Sequence, residues 1–131
     1  MVIAIDPGRD KCGFVVMSKN GEIFFQNVIE TIKFDITVKE LAKIFEIENI
    51  ILGDGTTSDS AKKKIMSILP NIKIEVINEK HTTEMARKLY WEKKPPRGWR
   101  KLLPTSMQVP PEPVDDIVAE ILAKRFLRIE D

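Results

Sequence analysis

The feature that most constrains the fold is a change in hydrophobic pattern near residue 30. Before it lie three short apolar strands, Val2–Ile5, Gly13–Met17 and Ile23–Ile29, and an Asn-Gly pair marks a hairpin between the last two. After it, apolar residues recur at helical spacing and alternate with further short strands. An antiparallel start followed by strand–helix alternation predicts an α/β fold with a mixed sheet covered by helices.

The sequence after residue 30 divides into predicted helices, strands and one long loop. Thr37, with Glu40 three residues later, has the form of a capping box for a first helix. Residues 94–113 are rich in proline and cannot be regular throughout. The other predicted elements are strands at Ile50–Leu52 and Ile72–Ile77 and helices at Ser58–Leu69, Thr82–Trp91 and Val114–Leu127.

Length and composition favour one domain covering residues 1–131, because 43% of the residues are hydrophobic and no boundary is visible.

Cys12 is the only cysteine, which excludes an internal disulfide framework and suits a reducing cytosol. We expect no signal peptide and no membrane helix, since no apolar run approaches the ~20 residues that a span needs. Because the net charge is only +1, a nucleic-acid-binding surface would have to be a local cluster of basic residues.

Acidic residues stand at the ends of the predicted elements. Asp6 ends the first strand, Asp54 follows the fourth, Glu79 follows the fifth, and Asp115-Asp116 opens the last helix. Side chains at the carboxyl ends of parallel strands meet at one edge of a sheet. Clustered carboxylates repel one another unless a cation joins them, and Mg²⁺ or Mn²⁺ prefers such oxygen ligands. The pattern therefore suggests a metal site that could activate water for phosphodiester cleavage.

Each carboxylate also has an ordinary structural interpretation. Asp6 precedes Pro-Gly and could simply form a turn. Asp115 and Asp116 could complement the dipole of the helix that they begin, and Glu79 could be a solvated loop charge. Only their joint placement favours the metal site.

A basic and aromatic stretch from Arg87 to Lys101 carries seven basic residues against one acidic residue. Basic groups neutralise phosphates, and exposed aromatic rings stack on bases. Tyr90 and Trp91 are more simply explained as core residues of their helix, whereas Trp99 lies in the proline-flanked loop. The candidate nucleic-acid contacts are Lys80, Arg97, Trp99, Arg100 and Lys101.

Together these motifs resemble the YqgF/RuvX branch of the RNase H-like nucleases, which is related to the RuvC Holliday-junction resolvases. Ile3–Gly8 is similar to the opening strand and Asp-x-Gly turn, Asn78–Ala86 to the Asp-Glu-Arg motif, and Val114–Ala119 to the final Asp-x-x-Ala-Ala helix. Gly53–Thr56 takes the place of the glycine turn after the fourth strand, and is also similar to a turn in Tex transcription factors. The chain departs from the family at Asn78-Glu79-Lys80, where the family has Asp-Glu-Arg.

The resemblance implies an RNase H-like fold, with three antiparallel strands followed by parallel strands in a five-stranded sheet and helices on both faces. It implies catalytic and metal-binding roles for Asp6, Glu79 and Asp115, and Asp116 and Asp54 are the alternative candidates for a further metal ligand. The implied activity is a Mg²⁺- or Mn²⁺-dependent nuclease acting on the precursor of small-subunit ribosomal RNA or on branched DNA. Symmetric cleavage of a four-way junction would need a homodimer. The alternatives are a nucleic-acid-binding module without catalysis and a regulatory protein-binding scaffold.

Overall fold

The computed structural model describes residues 1–94 and 113–128. In this part of the chain five strands form one sheet in the order β3-β2-β1-β4-β5. β1 pairs antiparallel with β2, and β2 with β3, whereas β4 runs parallel to both β1 and β5. The predicted mixed sheet is confirmed. Its strands are β1 (Val2–Asp6), β2 (Lys11–Met17), β3 (Ile23–Glu30), β4 (Asn49–Gly53) and β5 (Lys73–Ile77).

Helices cover both faces of the sheet and create two cores. They are α1 (Phe34–Ile44), α2 (Ser58–Ile68), α3 (Thr82–Lys93) and α4 (Asp115–Leu127). Alternate residues of a strand point to opposite faces. Accordingly, Val2 and Ala4 of the central strand pack with residues of α3 and α4, whereas Ile3 and Ile5 pack with residues of α1 and α2.

The aromatic pair of α3 belongs to the first of these cores. Tyr90 and Trp91 are both buried and their rings meet edge to face, with centroids 5.0 Å apart. The interpretation of these two rings as core residues is thus confirmed.

The first helix begins earlier than the capping box predicts. A 3-10 turn at Thr31–Lys33 leads directly into α1, whose first residue, Phe34, is buried in the core. Thr37 therefore lies inside the helix, and its hydroxyl donates to the carbonyl of Lys33 at 2.7 Å. Burial of Phe34 extends the helix beyond the start that the local cap pattern marks.

No helix in the described ranges is both long and apolar enough to cross a bilayer. Residues 95–112, which make up most of the proline-rich stretch, lie outside the described residues.

The first turn of α4 is placed by a close approach to β2. A Cβ atom at Gly13 would lie 1.8 Å from the carbonyl oxygen of Asp115, so only glycine allows the helix to approach this closely. Gly13 is also the partner of Asp6 in the antiparallel register of β1 and β2. The absence of a side chain at Gly13 therefore brings the start of α4 next to the end of β1.

We expect Gly13→Ala to destabilise the fold by about 1–3 kcal/mol, the typical cost of overpacking a tightly packed contact. The added methyl would collide with backbone atoms of Asp115, which cannot move without shifting α4. Urea denaturation measures the change in the free energy of unfolding. Lys62→Ala, at an exposed position of α2, is the control and should change it by less than about 0.5 kcal/mol. Equal stability of Gly13→Ala and the wild type would contradict the close packing of α4 on β2.

Candidate active site

Three adjacent parallel strands bring acidic residues to one edge of the sheet. Asp6 is the last residue of β1, Asp54 follows β4, and Glu79 lies two residues beyond β5. Neighbouring strands are about 4.8 Å apart, so β1 and β5 are separated by roughly twice that distance. The Glu79 side chain can bridge this gap because it passes over the end of β4.

Gly53, at the end of β4, provides the space for that crossing. A Cβ atom there would lie 1.7 Å from Oε1 of Glu79, which means that the carboxyl group occupies the volume that a side chain would fill. Oε1 is itself buried and has no hydrogen-bond partner within the described residues. A buried carboxylate oxygen without a partner is energetically costly, and it is also an available ligand atom.

The carboxyl groups of Asp6 and Glu79 are neighbours at the sheet edge, and this proximity shifts the pKa of Asp6. Burial, repulsion from Glu79, a hydrogen bond with Glu79 and repulsion from Asp115 together raise the pKa of Asp6 from 3.8 to about 8. Without a cation, the edge of the sheet therefore holds a proton in place of one negative charge.

Asp115 contributes the third carboxylate from the first turn of α4. Its pKa is raised by burial and by repulsion from Asp116, and is lowered by the charge of Lys11. The negative charge of Asp115 also contributes to the raised pKa of Asp6. The structure thus places Asp6, Glu79 and Asp115 in one electrostatic environment.

Asp116 has different neighbours. Burial raises its pKa, its Oδ1 accepts a hydrogen bond from the backbone N–H of Ile117, and its nearby charges are Lys93 and Glu120. Asp116 also lines a small cavity of about 160 Å³ together with Gln26 and Lys93. It therefore faces a cluster other than the one formed around Asp6.

Asp54 supports the backbone of Glu79. Its Oδ1 accepts a hydrogen bond of 2.9 Å from the N–H of Glu79. This contact occupies one oxygen of Asp54 and fixes the loop that carries Glu79.

Sequence reasoning missed a buried charged cluster on α4. Glu120 is almost completely buried and accepts from Lys93 at 2.6 Å, from Lys124 at 3.0 Å and from Gln26 at 2.8 Å. Burial alone would raise the pKa of Glu120, but the hydrogen bonds from Lys93, Gln26 and Lys124 lower it below the usual value. The i,i+4 spacing of Glu120 and Lys124 is readable from the sequence, but the contacts with Gln26 and Lys93 are not, because those residues lie on β3 and α3.

The predicted nucleic-acid contacts are only partly described. Lys80 is exposed directly after Glu79, where it adjoins the acidic edge. The other four, Arg97, Trp99, Arg100 and Lys101, lie outside the described residues.

Within the described residues, the carboxylates at the acidic edge do not form a complete metal site. Across residues 1–94 and 113–128, no three or more His, Cys, Asp or Glu side chains are grouped so that they could hold a metal ion. Repulsion among the three carboxylates opposes their closer approach unless a cation joins them.

Comparison with solved structures defines the class of fold. RuvC of Thermus thermophilus aligns with a TM-score of 0.58 and 13% identity, over 98% of this chain and 95% of that chain. RuvC of T. thermophilus in complex with Holliday junction substrate aligns with a TM-score of 0.57, again at 13% identity, over 98% of this chain and 94% of that chain.

These alignments, with the strand order, show that the chain has an RNase H-like fold. No protein-family model matches the sequence, and no curated protein matches it either.

We expect the metal-free protein to lose stability as the pH rises from about 4 to about 8. The pKa of Asp6 is about 8 in the folded protein and 3.8 in the unfolded chain. Between these pH values the folded state binds the proton and the unfolded state does not, so raising the pH favours unfolding. Asp6→Asn cannot ionise and should be more stable than the wild type at about pH 8, by at least roughly 1.4 kcal/mol, the equivalent of one pKa unit. Denaturant titrations in EDTA at about pH 5 and about pH 8 provide the measurement.

Asp10→Asn is the matched control, because Asp10 is an exposed carboxylate in the turn that follows β1. It should keep the pH dependence of the wild type. The same pH dependence in Asp6→Asn would show that Asp6 ionises normally in the folded protein.

Proposed function

We propose that this chain is a metal-dependent nuclease of the YqgF/RuvX type that hydrolyses phosphodiester bonds in structured nucleic acid. The observation that carries the proposal is the pairing of the Asp6 and Glu79 carboxyl groups at the sheet edge with Asp115 nearby. Such a pairing is unfavourable when both groups are ionised, and a bound cation would remove the repulsion.

The donor set fits a hard divalent cation. Glu79 offers a buried oxygen without a hydrogen-bond partner among the described residues, and Asp6 carries a proton that a cation would displace. Asp6, Glu79 and Asp115 would hold Mg²⁺ or Mn²⁺, both of which prefer carboxylate oxygens. When bound, the ion supplies a lowered pKa for attacking water and a countercharge for the leaving oxygen.

The remaining residues would serve the substrate. Lys80 follows Glu79 and is exposed, so its ammonium can neutralise a phosphate next to the bond that is cut. Arg97, Trp99, Arg100 and Lys101 would supply further contacts with the nucleic acid, with the guanidinium groups on phosphates and the indole on a base.

The proposed substrate class follows from the resemblance of the sequence motifs to the YqgF/RuvX family. The proposed substrates are the precursor of small-subunit ribosomal RNA and branched DNA. One of the similar structures is RuvC in complex with a Holliday junction, which supports nucleic acid as the partner. A junction cut on two strands would need the two active sites of a homodimer.

A second candidate is a nucleic-acid-binding or regulatory module that retains the fold without cleavage. Two observations favour it. Asn78 and Lys80 replace an acidic and a guanidinium residue of the family motif. In the part of the chain that the structure describes, the carboxylates also do not form a complete metal site.

We expect Asp6→Asn, Glu79→Gln and Asp115→Asn each to reduce cleavage by more than about 100-fold, since loss of an outer-shell partner alone can cost 10–100-fold. Asp116→Asn should have a smaller effect, because Asp116 shares its surroundings with Lys93 and Glu120. The assay uses labelled ribosomal RNA precursor, single strands and four-way junctions with Mg²⁺ or Mn²⁺.

Asp59→Asn, an exposed carboxylate in the first turn of α2, is the control and should cut like the wild type. Cleavage by Asp6→Asn at the wild-type rate would remove the proposed mechanism. Binding of these substrates by the wild type, with no cleavage under any metal condition, would support the second candidate.

We expect binding of nucleic acid to weaken with salt because phosphate contacts release counterions. A variant with Arg97, Arg100 and Lys101 all changed to Gln should lower the slope of log K against log salt by about 0.9 for each duplex DNA phosphate that the variant no longer neutralises. Fluorescence anisotropy at several salt concentrations measures the slope. An unchanged slope would exclude these residues from the binding surface.

A further inference from the structure

Arg125 of α4 holds the loop on which Glu79 lies. Its Nη1 donates to the carbonyl of Asn78 at 2.6 Å, and its Nη2 donates to the carbonyl of Lys80 at 2.7 Å. Nη2 also lies 3.3 Å from the sulfur of Met85. The two carbonyls are those on either side of Glu79, so the guanidinium brackets this residue.

The main chain of Glu79 is also held at both of its polar groups. Its N–H donates to Asp54, and its carbonyl accepts from the N–H of Thr82 at 3.0 Å and from the hydroxyl of Thr82 at 2.7 Å. Just beyond, His81 has a φ of 64°, a left-handed conformation that is unfavourable for a residue with a side chain. A strained backbone persists only where its surroundings fix it, and these hydrogen bonds do so.

The same helix that carries Arg125 also carries Asp115. The two residues are ten positions apart, which corresponds to about 15 Å along an α-helix. The start of α4 is fixed by the close approach at Gly13 and by Gln26, whose side-chain amide donates to the carbonyl of Asp116 at 3.2 Å. Helix α4 therefore carries Asp115 in its first turn and, through Arg125, also holds the loop that carries Glu79.

We propose that Arg125 is a positioning residue that docks the Glu79 loop on α4 and so sets the place of the Glu79 carboxylate relative to Asp6 and Asp115. The proposal rests on the proposed function, because it concerns the geometry of the same carboxylates. Arg125 touches two backbone carbonyls, and its effect on the site passes through Glu79.

An arginine suits this task better than a lysine. The planar guanidinium presents its N–H groups in a rigid fork, and here two of its nitrogens bind two carbonyls that are two residues apart. A lysine ammonium is a point charge on a flexible stem and would hold the pair less firmly. Arg125→Lys therefore keeps the positive charge while loosening the loop.

The test compares Mn²⁺ binding by isothermal titration calorimetry in the wild type, Arg125→Lys and Arg125→Gln. We expect about a tenfold weaker affinity for Arg125→Lys and a larger loss for Arg125→Gln, in the range usual for outer-shell partners of a metal site. Hydrogen exchange of the amides of residues 79–82, measured without metal, should be faster in both variants. Exchange in the central strand β1 should be unchanged, which separates loosening of the loop from general destabilisation.

Arg128→Gln is the matched control. Arg128 is an exposed arginine just after α4, where its backbone N–H donates to the carbonyls of Lys124 and Arg125. It should keep wild-type affinity and exchange. Equal affinity and loop exchange in Arg125→Gln and the wild type would overturn the role of Arg125 alone. No Mn²⁺ binding by the wild type would instead overturn the proposed function, and the role of Arg125 with it.

Discussion

The structure depends on how it accommodates negative charge at the carboxyl edge of its sheet. Asp6 ends the buried central strand, and Glu79 reaches it across the end of β4, where Gly53 leaves room for the carboxyl group. Burial and repulsion keep a proton on Asp6, with its pKa raised to about 8. A chain that gains nothing from such an arrangement would have little reason to keep it, because neutral residues would pack there at lower cost.

The scaffold around this edge is rigid where the carboxylates need support. The central strand β1 is buried on both faces and is paired on both sides, so Asp6 starts from a well-fixed backbone. Helix α4 packs against Gly13 at its start and reaches the Glu79 loop through Arg125. Its buried residue Glu120 ties it to α3 through Lys93, which adds charged contacts inside an otherwise apolar layer.

The two halves of the acidic site differ in how firmly they are held. The Glu79 loop is fixed by side chains from three other elements or loops, whereas Asp115 and Asp116 are adjacent and face different neighbours. In the proposed metal site, Asp6 and Glu79 would supply two neighbouring carboxyl groups, and Asp115 would supply a third from the first turn of α4.

The sequence by itself determined the order of the elements and the residues at their ends. Hydrophobic periodicity and the Asn-Gly turn depend only on local chemistry, and they predicted the mixed sheet and the carboxylates at its edge. The local cap pattern at Thr37 failed because burial of Phe34, a tertiary effect, extends α1.

Only the tertiary structure decided which groups meet. Arg125 lies 47 residues from Asn78, and Gln26 lies 94 residues from Glu120, so no local pattern could reveal either contact. The different surroundings of Asp115 and Asp116 likewise depend on where α4 begins against the sheet, next to Gly13. Periodicity fixes which face of an element is buried, but the pairing of polar groups depends on how the elements are packed together.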